Sequence, residues 1–151
     1  MVHCTFSSPV GMLLITADER GICALDFDEN GDVLEGSNQH IEQLKHELEA
    51  YFAGKLKTFE VPLHPQGTSF QESVWHVLQG IPYGETISYS LEAELLKHPK
   101  ATRAVANANG KNKIAIVIPC HRVIAKDGGI GGYSGGLWRK EYLLALEQKY
   151  R

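Results

Sequence analysis

Cys120 and His121 stand side by side in the stretch 116–124, which reads Ile-Val-Ile-Pro-Cys-His-Arg-Val-Ile. The pair follows a proline and lies between two apolar runs, a pattern typical of a buried strand. A thiol reacts as its thiolate and needs a base or a positive charge nearby, so these neighbours indicate a cysteine nucleophile. Residue type alone favours the alternative, a buried and inert structural thiol.

Positive charge is concentrated along the chain around this pair. Residues 95–126 contain seven basic side chains and no acidic one, although the whole chain carries a net charge of −3. A one-sided positive surface on a mildly acidic protein is typical of a polyanionic partner such as nucleic acid. The alternative is an ordinary solvated surface that lacks carboxylates.

Two short helices are predicted just before the cysteine. The first runs from about Ser90 to Lys97, and the second from Lys100, after a proline that suits a helix start, to Asn109. A tight pair whose second helix is polar and basic outward predicts a helix-turn-helix, although many helical hairpins share this pattern. The outward face of the second helix comprises Arg103, Ala106, Asn107 and Gly110.

Glu147 borders the apolar stripe of a helix predicted from about Leu137 to the C-terminus. That stripe is formed by Tyr142, Leu143, Leu146 and Tyr150. The carboxylate of Glu147 either makes an exposed i, i+4 pair with Arg151 or holds a histidine in one tautomer. Since neighbours in an extended segment point to opposite sides, His121 needs a water or a bend at the preceding proline to reach the thiol.

The N-terminal half has a different pattern. Residues 2–28 alternate short apolar runs with turn residues, which predicts β structure. Ile41, Leu44, Leu48, Tyr51 and Phe52 recur at helical spacing and predict an amphipathic helix that ends at Gly54. Prolines at positions 62 and 65 mark a linker. We therefore predict an α+β (α/β) chain with an N-terminal β-sheet and helix domain at 1–65 and a mostly helical C-terminal domain at 66–151.

Composition excludes several classes of protein. With 151 residues, 43% of them hydrophobic, the chain can bury a core and is not disordered. No apolar stretch approaches membrane-spanning length and the N-terminus resembles no signal peptide. Three cysteines without metal-binding or disulfide spacing predict a reducing, intracellular setting, cytoplasmic or, in a eukaryote, nuclear.

The segment Pro119-Cys120-His121-Arg122-Val123 resembles the active-site signature of the O6-alkylguanine-DNA alkyltransferases. The resemblance continues in the family's order and spacing over about residues 67–147, through segments such as 81–85, 103–105, 110–112 and 132–137. The N-terminal half resembles the family only at 8–11 and in its strand and helix layout. The family fold implies a ribonuclease-H-like N-terminal domain and a winged-helix-like C-terminal domain.

The resemblance implies direct, stoichiometric repair of double-stranded DNA by a monomer without a cofactor. The methyl or alkyl group on O6 of a flipped-out guanine, or on O4 of thymine, would pass to Cys120, and the resulting thioether would consume the protein. Mammalian members carry zinc in the N-terminal domain. Because no matching ligand set is found in this sequence, we expect no metal.

The resemblance also implies roles for individual residues. His121 would act through a water as the base for Cys120, Glu147 would orient it, Asn112 would brace the active-site segment, and Tyr89 would donate a proton to N3 of the departing guanine. The substrate-base pocket would comprise Pro119, Val123, Tyr133 and Ser134. DNA contacts would come from Lys100, Thr102, Arg103, Ala106, Asn107, Asn109, Gly110 and Arg122, with Arg103 entering the stack that the flipped base leaves.

The sequence departs from the family pattern at a few positions. Lys97 and His98 stand where a Gly or Asn-like turn is common, Ala106 stands for Gly, and Lys113 follows the bracing asparagine in place of Pro. Two rival functions remain. One is a damage-binding module without transfer, in which tryptophan replaces the cysteine; Cys120 argues against it. The other is an unrelated cysteine hydrolase, which requires repeated turnover.

Overall fold

The computed structural model describes all residues 1–151 and has a mixed α+β architecture with a three-stranded antiparallel sheet and five α-helices. Its internal contacts divide the chain into two compact units. The first comprises residues 1–66 together with 113–115, and the second comprises residues 67–112 and 116–151. None of the helices combines the length and apolar character needed to cross a membrane.

The sheet of the first unit is formed by β1 (Val2–Ser8), β2 (Gly11–Ala17) and β3 (Ile22–Phe27), in that order and antiparallel. The β1–β2 turn is held by Ser8, whose hydroxyl donates to the carbonyl of Gly11 at 2.6 Å. Gly11 has a φ of 103°, which a glycine adopts without steric cost. The β2–β3 turn is held by Asp18, whose carboxylate accepts the backbone N–H groups of the next turn residues.

Helix α1 (Gln39–Phe52) completes the core of the first unit. It begins after Asn38, whose side chain accepts the backbone N–H of Ile41 at 2.9 Å and so satisfies one of the free donors of the first turn. Four of the five residues predicted to form its apolar face are confirmed as buried, namely Ile41, Leu44, Leu48 and Tyr51, whereas Phe52 is only partly buried. They cover one face of the sheet, because α1 contacts β1 and β2.

Residues 113–115 return to the first unit from a distant part of the chain. The backbone N–H of Leu25 donates to the carbonyl of Lys113 at 2.9 Å, and the N–H of Ala115 donates to the carbonyl of Leu25 at 3.1 Å. The segment therefore extends along β3 immediately before the stretch that contains Cys120. A segment of three residues is too short to show periodicity, so this pairing could not be predicted from the sequence.

The second unit begins with α2 (Ser69–Gln79). Thr68 and Gln71 form a capping box before this helix: Thr68 accepts the N–H of Gln71 at 3.1 Å and the Gln71 side chain accepts the N–H of Thr68 at 3.0 Å. Trp75, 1% exposed, donates its indole N–H to the carbonyl of Ala108 at 3.0 Å. This bond satisfies the polar end of a buried indole and joins α2 to a later helix of the same unit.

The predicted pair of short helices is present as α3 (Tyr89–Leu95) and α4 (Thr102–Gly110), with α4 beginning two residues later than expected. Lys97, in the connection, has a φ of 63°, which explains why Gly or Asn is common in related turns. Before and after these helices lie β4 (Ile87–Ser88) and β5 (Val123–Ile124), which pair in parallel.

The final helix, α5 (Leu137–Lys149), buries a different stripe from the one predicted. Leu143 and Leu146 are buried as expected, but Tyr142 is 38% exposed. Lys140 and Glu147, at 0% and 1% exposure, are enclosed together with Leu143. Their spacing of seven residues, with Leu143 between them, places two ionisable groups on the inward face of this helix.

Candidate active site around Cys120

Cys120 opens a short 3₁₀ helix, Cys120–Arg122, that lies between Pro119 and β5. The extended conformation predicted for the cysteine stretch is therefore wrong at these residues, because the chain turns tightly after Pro119. The backbone N–H of Cys120 bonds to the carbonyl of Ile118 at 2.8 Å. The thiol is 9% exposed, so it is nearly enclosed but still has access to one side.

Asn112 braces this turn through its side-chain amide. Its Nδ2 atom donates to the carbonyl of Ile118 at 2.8 Å and to Sγ of Cys120 at 3.2 Å. Burial raises the pKa of the Cys120 thiol, whereas the hydrogen bond from Asn112 and the charge of Lys140 lower it. A donor aimed at sulfur favours the thiolate over the thiol, so this contact offsets part of the cost of burial.

His121 and Arg122 share one carboxylate, that of Glu147. His121 Nε2 lies 2.7 Å from Glu147 Oε2. Arg122 donates to both oxygens, at 2.8 and 3.1 Å, and to the carbonyl of Ile81 at 2.6 Å. Burial alone would raise the pKa of Glu147, but the hydrogen bonds and charges of His121 and Arg122 hold it well below its usual value. Glu147 is therefore ionised.

The same arrangement fixes the state of His121. Complete burial lowers the pKa of its imidazole, although the bond to Glu147 acts in the opposite direction. A neutral imidazole that donates Nε2–H to the carboxylate leaves Nδ1 as the basic nitrogen. Nδ1 is buried and has no hydrogen-bond partner within the protein. The thiol and the imidazole consequently make no direct hydrogen bond.

Lys140 is an ionisable residue of the site that the sequence reasoning missed. Its Nζ atom donates to the carbonyls of Val123 at 2.7 Å and Gly132 at 2.9 Å, and it lies 5.8 Å from the centre of the Tyr89 ring. Burial lowers the pKa of this ammonium to about 8, while Cys120 raises it. The inward spacing of Lys140, Leu143 and Glu147 on one helix was the sequence signal available to find it.

A cavity of about 420 Å³ opens beside the thiol. It is lined by Tyr89, Ala106, Asn109, Gly110, Cys120, Gly132, Tyr133 and Ser134. The hydroxyl of Tyr89 donates to the carbonyl of Gly132 at 3.4 Å. Gly131 lets the loop approach that ring, because a Cβ there would lie 2.9 Å from the Tyr89 hydroxyl and φ is 74°. A cavity of this size, with few polar groups around a nucleophile, is typical of a small-molecule or base pocket.

Helix α4 forms one wall of this cavity and also presents a solvent-facing side. Arg103, Asn107 and Gly110 are exposed, and Thr102 and Ala106 are partly exposed. Lys100 is exposed just before the helix. The residues around Arg103 are small, so a ligand backbone can come close to this face, as expected for entry into a DNA groove.

Comparison with known proteins agrees with this geometry. The sequence profile described as "6-O-methylguanine DNA methyltransferase, DNA binding domain" matches residues 69–149. The profile described as the ribonuclease-like domain of the same protein matches residues 1–65. The chain belongs to the 6-O-methylguanine DNA methyltransferase family.

Relatives in this family align with nearly the whole chain. The methylated-DNA–protein-cysteine methyltransferase of Methanosarcina acetivorans is 46% identical over 97% of this chain and 98% of that protein. The protein of the same name from Mycolicibacterium paratuberculosis is 44% identical over 97% of this chain and 92% of that protein. The crystal structure of Mycobacterium tuberculosis OGT in complex with DNA has a TM-score of 0.88 at 41% identity, covering 98% of this chain and 93% of that one.

Several residues predicted for the site come together, and two predicted DNA contacts do not. Cys120, His121, Glu147 and Asn112 form one connected cluster, while Tyr89, Tyr133 and Ser134 line the cavity. Arg122 is a correction: it is 7% exposed and bound to Glu147, so it is not free to contact phosphate. Asn109 is also a correction, because it is 6% exposed and its amide donates to Glu92.

Two residues predicted for the base pocket are not among the residues that line the cavity. Val123 is fully buried, and its carbonyl accepts the Lys140 ammonium. Pro119 is buried and sets the turn before Cys120, with φ −83° and ψ 64°.

The N-terminal unit holds one cluster of groups able to bind a metal. Asp18, Cys23 and His64 bring one ligand atom each within 4.8 Å of one another. The bond between His64 Nδ1 and Asp18 Oδ2, 2.8 Å long, already accounts for two of the three, and burial raises the pKa of the Cys23 thiol. Structural zinc takes four protein ligands. The set does not match such a site.

Proposed function

We propose that this chain repairs DNA by moving an alkyl group from O6 of guanine to Sγ of its own Cys120. The observation that carries the proposal is a buried thiol that accepts a hydrogen bond from Asn112, beside a cavity whose other wall is the small-faced helix α4. The family membership and the DNA complex of a 41% identical relative support DNA as the partner. We extend the proposal to O4 of alkylated thymine, which presents the same kind of alkoxy carbon.

The transfer is a single displacement at carbon. The Cys120 thiol gives its proton to Nδ1 of His121 through a bridging water, and the thiolate attacks the alkyl carbon as the carbon–O6 bond breaks. The electron pair of that bond stays on the guanine, where negative charge develops. Glu147 stabilises the imidazolium that forms, as carboxylates do in related nucleophile–base–carboxylate groups.

The leaving guanine needs a proton or a hydrogen-bond donor as its charge develops. Tyr89 and Ser134 both line the cavity. In the proposed reaction, Tyr89 donates its hydroxyl proton toward N3 and Ser134 donates a hydrogen bond to O6. The product sulfur is a thioether, which no group in the cluster hydrolyses. Each protein molecule therefore acts once, and it needs no cofactor.

The damaged base must flip out of the DNA stack to enter the cavity, because the reacting carbon is inaccessible within a duplex. Arg103 enters the space that the base leaves, while Thr102, Ala106, Asn107 and Gly110 face the minor groove and Lys100 contacts phosphate. Exposure of these side chains supports this assignment. The substrate lies with the genome, so we place the protein in the cytoplasm of a prokaryote or in a nucleus, acting as a monomer.

We also propose finer descriptions of the two units. The sheet and helix of residues 1–65 form a ribonuclease-H-like domain, which agrees with the ribonuclease-like profile that matches them. Residues 66–151 form the DNA-binding and transfer domain, with α3 and α4 as the helix-turn-helix of a winged-helix-like unit. Strand β4 precedes these helices and β5 follows them, and the short parallel pair that the two strands form supports that description.

Intact mass spectrometry tests the proposed reaction. The protein is incubated with a duplex containing one O6-methylguanine, and we expect one methyl group added to Cys120 and one guanine restored per protein molecule. Cys120→Ala should bind the duplex and gain no mass, and Cys23→Ala, which removes another buried thiol, should still be methylated. Tight binding without an adduct would indicate a damage-binding module, and repeated turnover would indicate a hydrolase; either result overturns the proposal.

A further inference from the structure

Glu92 and Asn109 form a buried polar pair between α3 and α4. Glu92 lies in α3 and is 0% exposed, and Asn109 lies in α4 and is 6% exposed. Asn109 Nδ2 donates to Glu92 Oε1 at 2.7 Å. Tyr89 is the first residue of α3, and Asn109 itself lines the cavity. The pair therefore joins the helix of the proposed proton donor to the helix that faces DNA.

The single hydrogen bond between Asn109 and Glu92 leaves one oxygen of each side chain without a partner. Glu92 Oε2 and Asn109 Oδ1 are buried and have no hydrogen-bond partner in the protein. Both atoms are acceptors when the carboxyl is ionised, so neither can serve the other. A proton would turn Oε2 into a donor, and a carboxylic acid and a primary amide that face each other can exchange two hydrogen bonds. Protonation of Glu92 is therefore the change that would allow Oε2 and Asn109 Oδ1 to satisfy each other.

No positive charge compensates an ionised Glu92. Helix α3 packs against α2, α4, β4 and β5, and the two strands hold no charged residue. The ionisable groups of α2, Glu72 and His76, are exposed, as is Arg103 of α4. The other titratable groups coupled to Glu92 are Tyr89 and Cys120, which carry no positive charge in any state.

Burial without a cation makes ionisation costly. It raises the pKa of Glu92 to about 7, although the hydrogen bond from Asn109 acts in the opposite direction. Over much of the pH range in which proteins work, the neutral acid is therefore well populated.

We propose that Glu92 is held as a neutral carboxylic acid sharing two hydrogen bonds with Asn109, and that this acid–amide pair positions the cavity wall for alkyl transfer. The role in transfer rests on the proposed function. Oε2–H donates to Asn109 Oδ1 while Asn109 Nδ2 donates to Oε1. Loss of the proton removes one of the two bonds, leaves an uncompensated charge between α3 and α4, and alters the placement of Tyr89. Glu92 and Asn109 are positioning residues, because neither needs to touch the reacting atoms.

The substitution Glu92→Gln tests the two hydrogen bonds without the titratable proton, because an amide can make both bonds but does not ionise. In Glu92→Gln, the new amide keeps both bonds to Asn109 at every pH. We expect its single-turnover transfer rate to match that of the unmodified protein below about pH 6 and to exceed it by about fivefold above about pH 8, the effect of one lost hydrogen bond. Glu92→Leu should be slow at all pH values, and Glu94→Gln, on the exposed side of α3, should follow the unmodified protein.

A titration independent of activity completes the test. With glutamate labelled by ¹³C at the carboxyl carbon, the resonance missing from Glu92→Gln should titrate near pH 7 rather than near the ordinary 4.5. Titration near 4.5 would overturn the proposal that Glu92 is held as a neutral acid. A rate ratio between the unmodified protein and Glu92→Gln that does not change with pH would overturn it as well. A protein that forms no methyl adduct at any pH would refute the proposed function instead, and the NMR titration would still decide the state of Glu92.

Discussion

Nε2 of His121 lies 2.7 Å from Oε2 of Glu147, and both side chains are sealed from solvent. Arg122 binds the same carboxylate through two nitrogens, so Glu147 keeps its charge without needing a protonated histidine. The imidazole is thus held in one tautomer before any substrate arrives. Because Nε2–H is donated to Glu147, Nδ1 of His121 is the nitrogen that can accept a proton.

Glu147→Gln should therefore slow transfer. The amide cannot hold the imidazolium as an ionised carboxylate does, and we expect a loss of roughly 10²- to 10⁴-fold in single-turnover rate. The change also leaves Arg122 as a buried charge with an incomplete set of partners, at a cost of up to roughly 3–5 kcal/mol in the free energy of unfolding. Urea denaturation measures the loss of stability. Transfer rates are compared without denaturant, under conditions in which the variant is folded.

Glu141→Gln provides the matched control for that experiment, because Glu141 is exposed on the same helix. It should leave both the rate and the stability unchanged. If Glu147→Gln proved as fast as Glu141→Gln while folded, His121 would not depend on the carboxylate.

Asn112→Ala should move the reactivity of Cys120 to higher pH. The hydrogen bond from Asn112 lowers the pKa of the thiol, so its removal raises that pKa and reduces the thiolate at a given pH below it. Mass spectrometry of alkylation by iodoacetamide across a pH series measures the shift. Asn107→Ala, an exposed position of α4, should leave the profile in place; an unshifted profile in Asn112→Ala would show that the contact with sulfur has no electrostatic effect.

Gly131→Ala should impair transfer more than stability alone explains. The added methyl would lie 2.9 Å from the Tyr89 hydroxyl, in a backbone conformation with φ 74°. Gly128→Ala is a close control, since its φ is 88° and nothing lies within 4 Å of the added carbon. Both variants should lose about 1 kcal/mol of stability, measured by urea denaturation, but only Gly131→Ala should lose transfer rate. Equal rates in the two would remove the argument that Tyr89 needs this close packing.

Arg103→Ala should distinguish base extrusion from chemistry. Arg103 is exposed on α4 and has no contact with Cys120 or its hydrogen-bond partners, so transfer from the free base O6-benzylguanine should be nearly unchanged. Transfer from O6-methylguanine in duplex DNA should fall at least tenfold, because the stack no longer gains a side chain in place of the flipped base. Both rates come from the mass of the adduct, and Arg20→Ala serves as an exposed arginine control. Equal losses on the two substrates would refute the proposed role.

Local sequence signals predicted the helices well where their patterns were complete. The capping box of Thr68 and Gln71 and the spacing of Ile41, Leu44 and Leu48 each specify a helix through neighbours within one or two turns. Two-residue strands such as β4 and β5 have no periodicity to detect, so their parallel pairing followed only from the structure. The same holds for the return of residues 113–115 to β3.

Charge was the least reliable guide to the site. Arg122 stands in an acid-free stretch and was predicted to bind DNA, yet its partner Glu147 is 25 positions further along the chain and pairs with it inside the fold. Lys140 and Glu92 are buried for reasons that depend on distant carbonyls and an amide. Composition within a sequence window cannot show such partners, because they meet only through tertiary packing.

The indole of Trp75, buried and bonded to the carbonyl of Ala108, gives the second unit an internal optical reporter. The chain has only one other tryptophan, Trp138, which is 53% exposed. A soluble quencher such as acrylamide will therefore extinguish the emission of Trp138 and spare that of Trp75. The protected emission follows the contact between α2 and α4, so the seating of the DNA-facing helix can be observed by fluorescence without attaching a label.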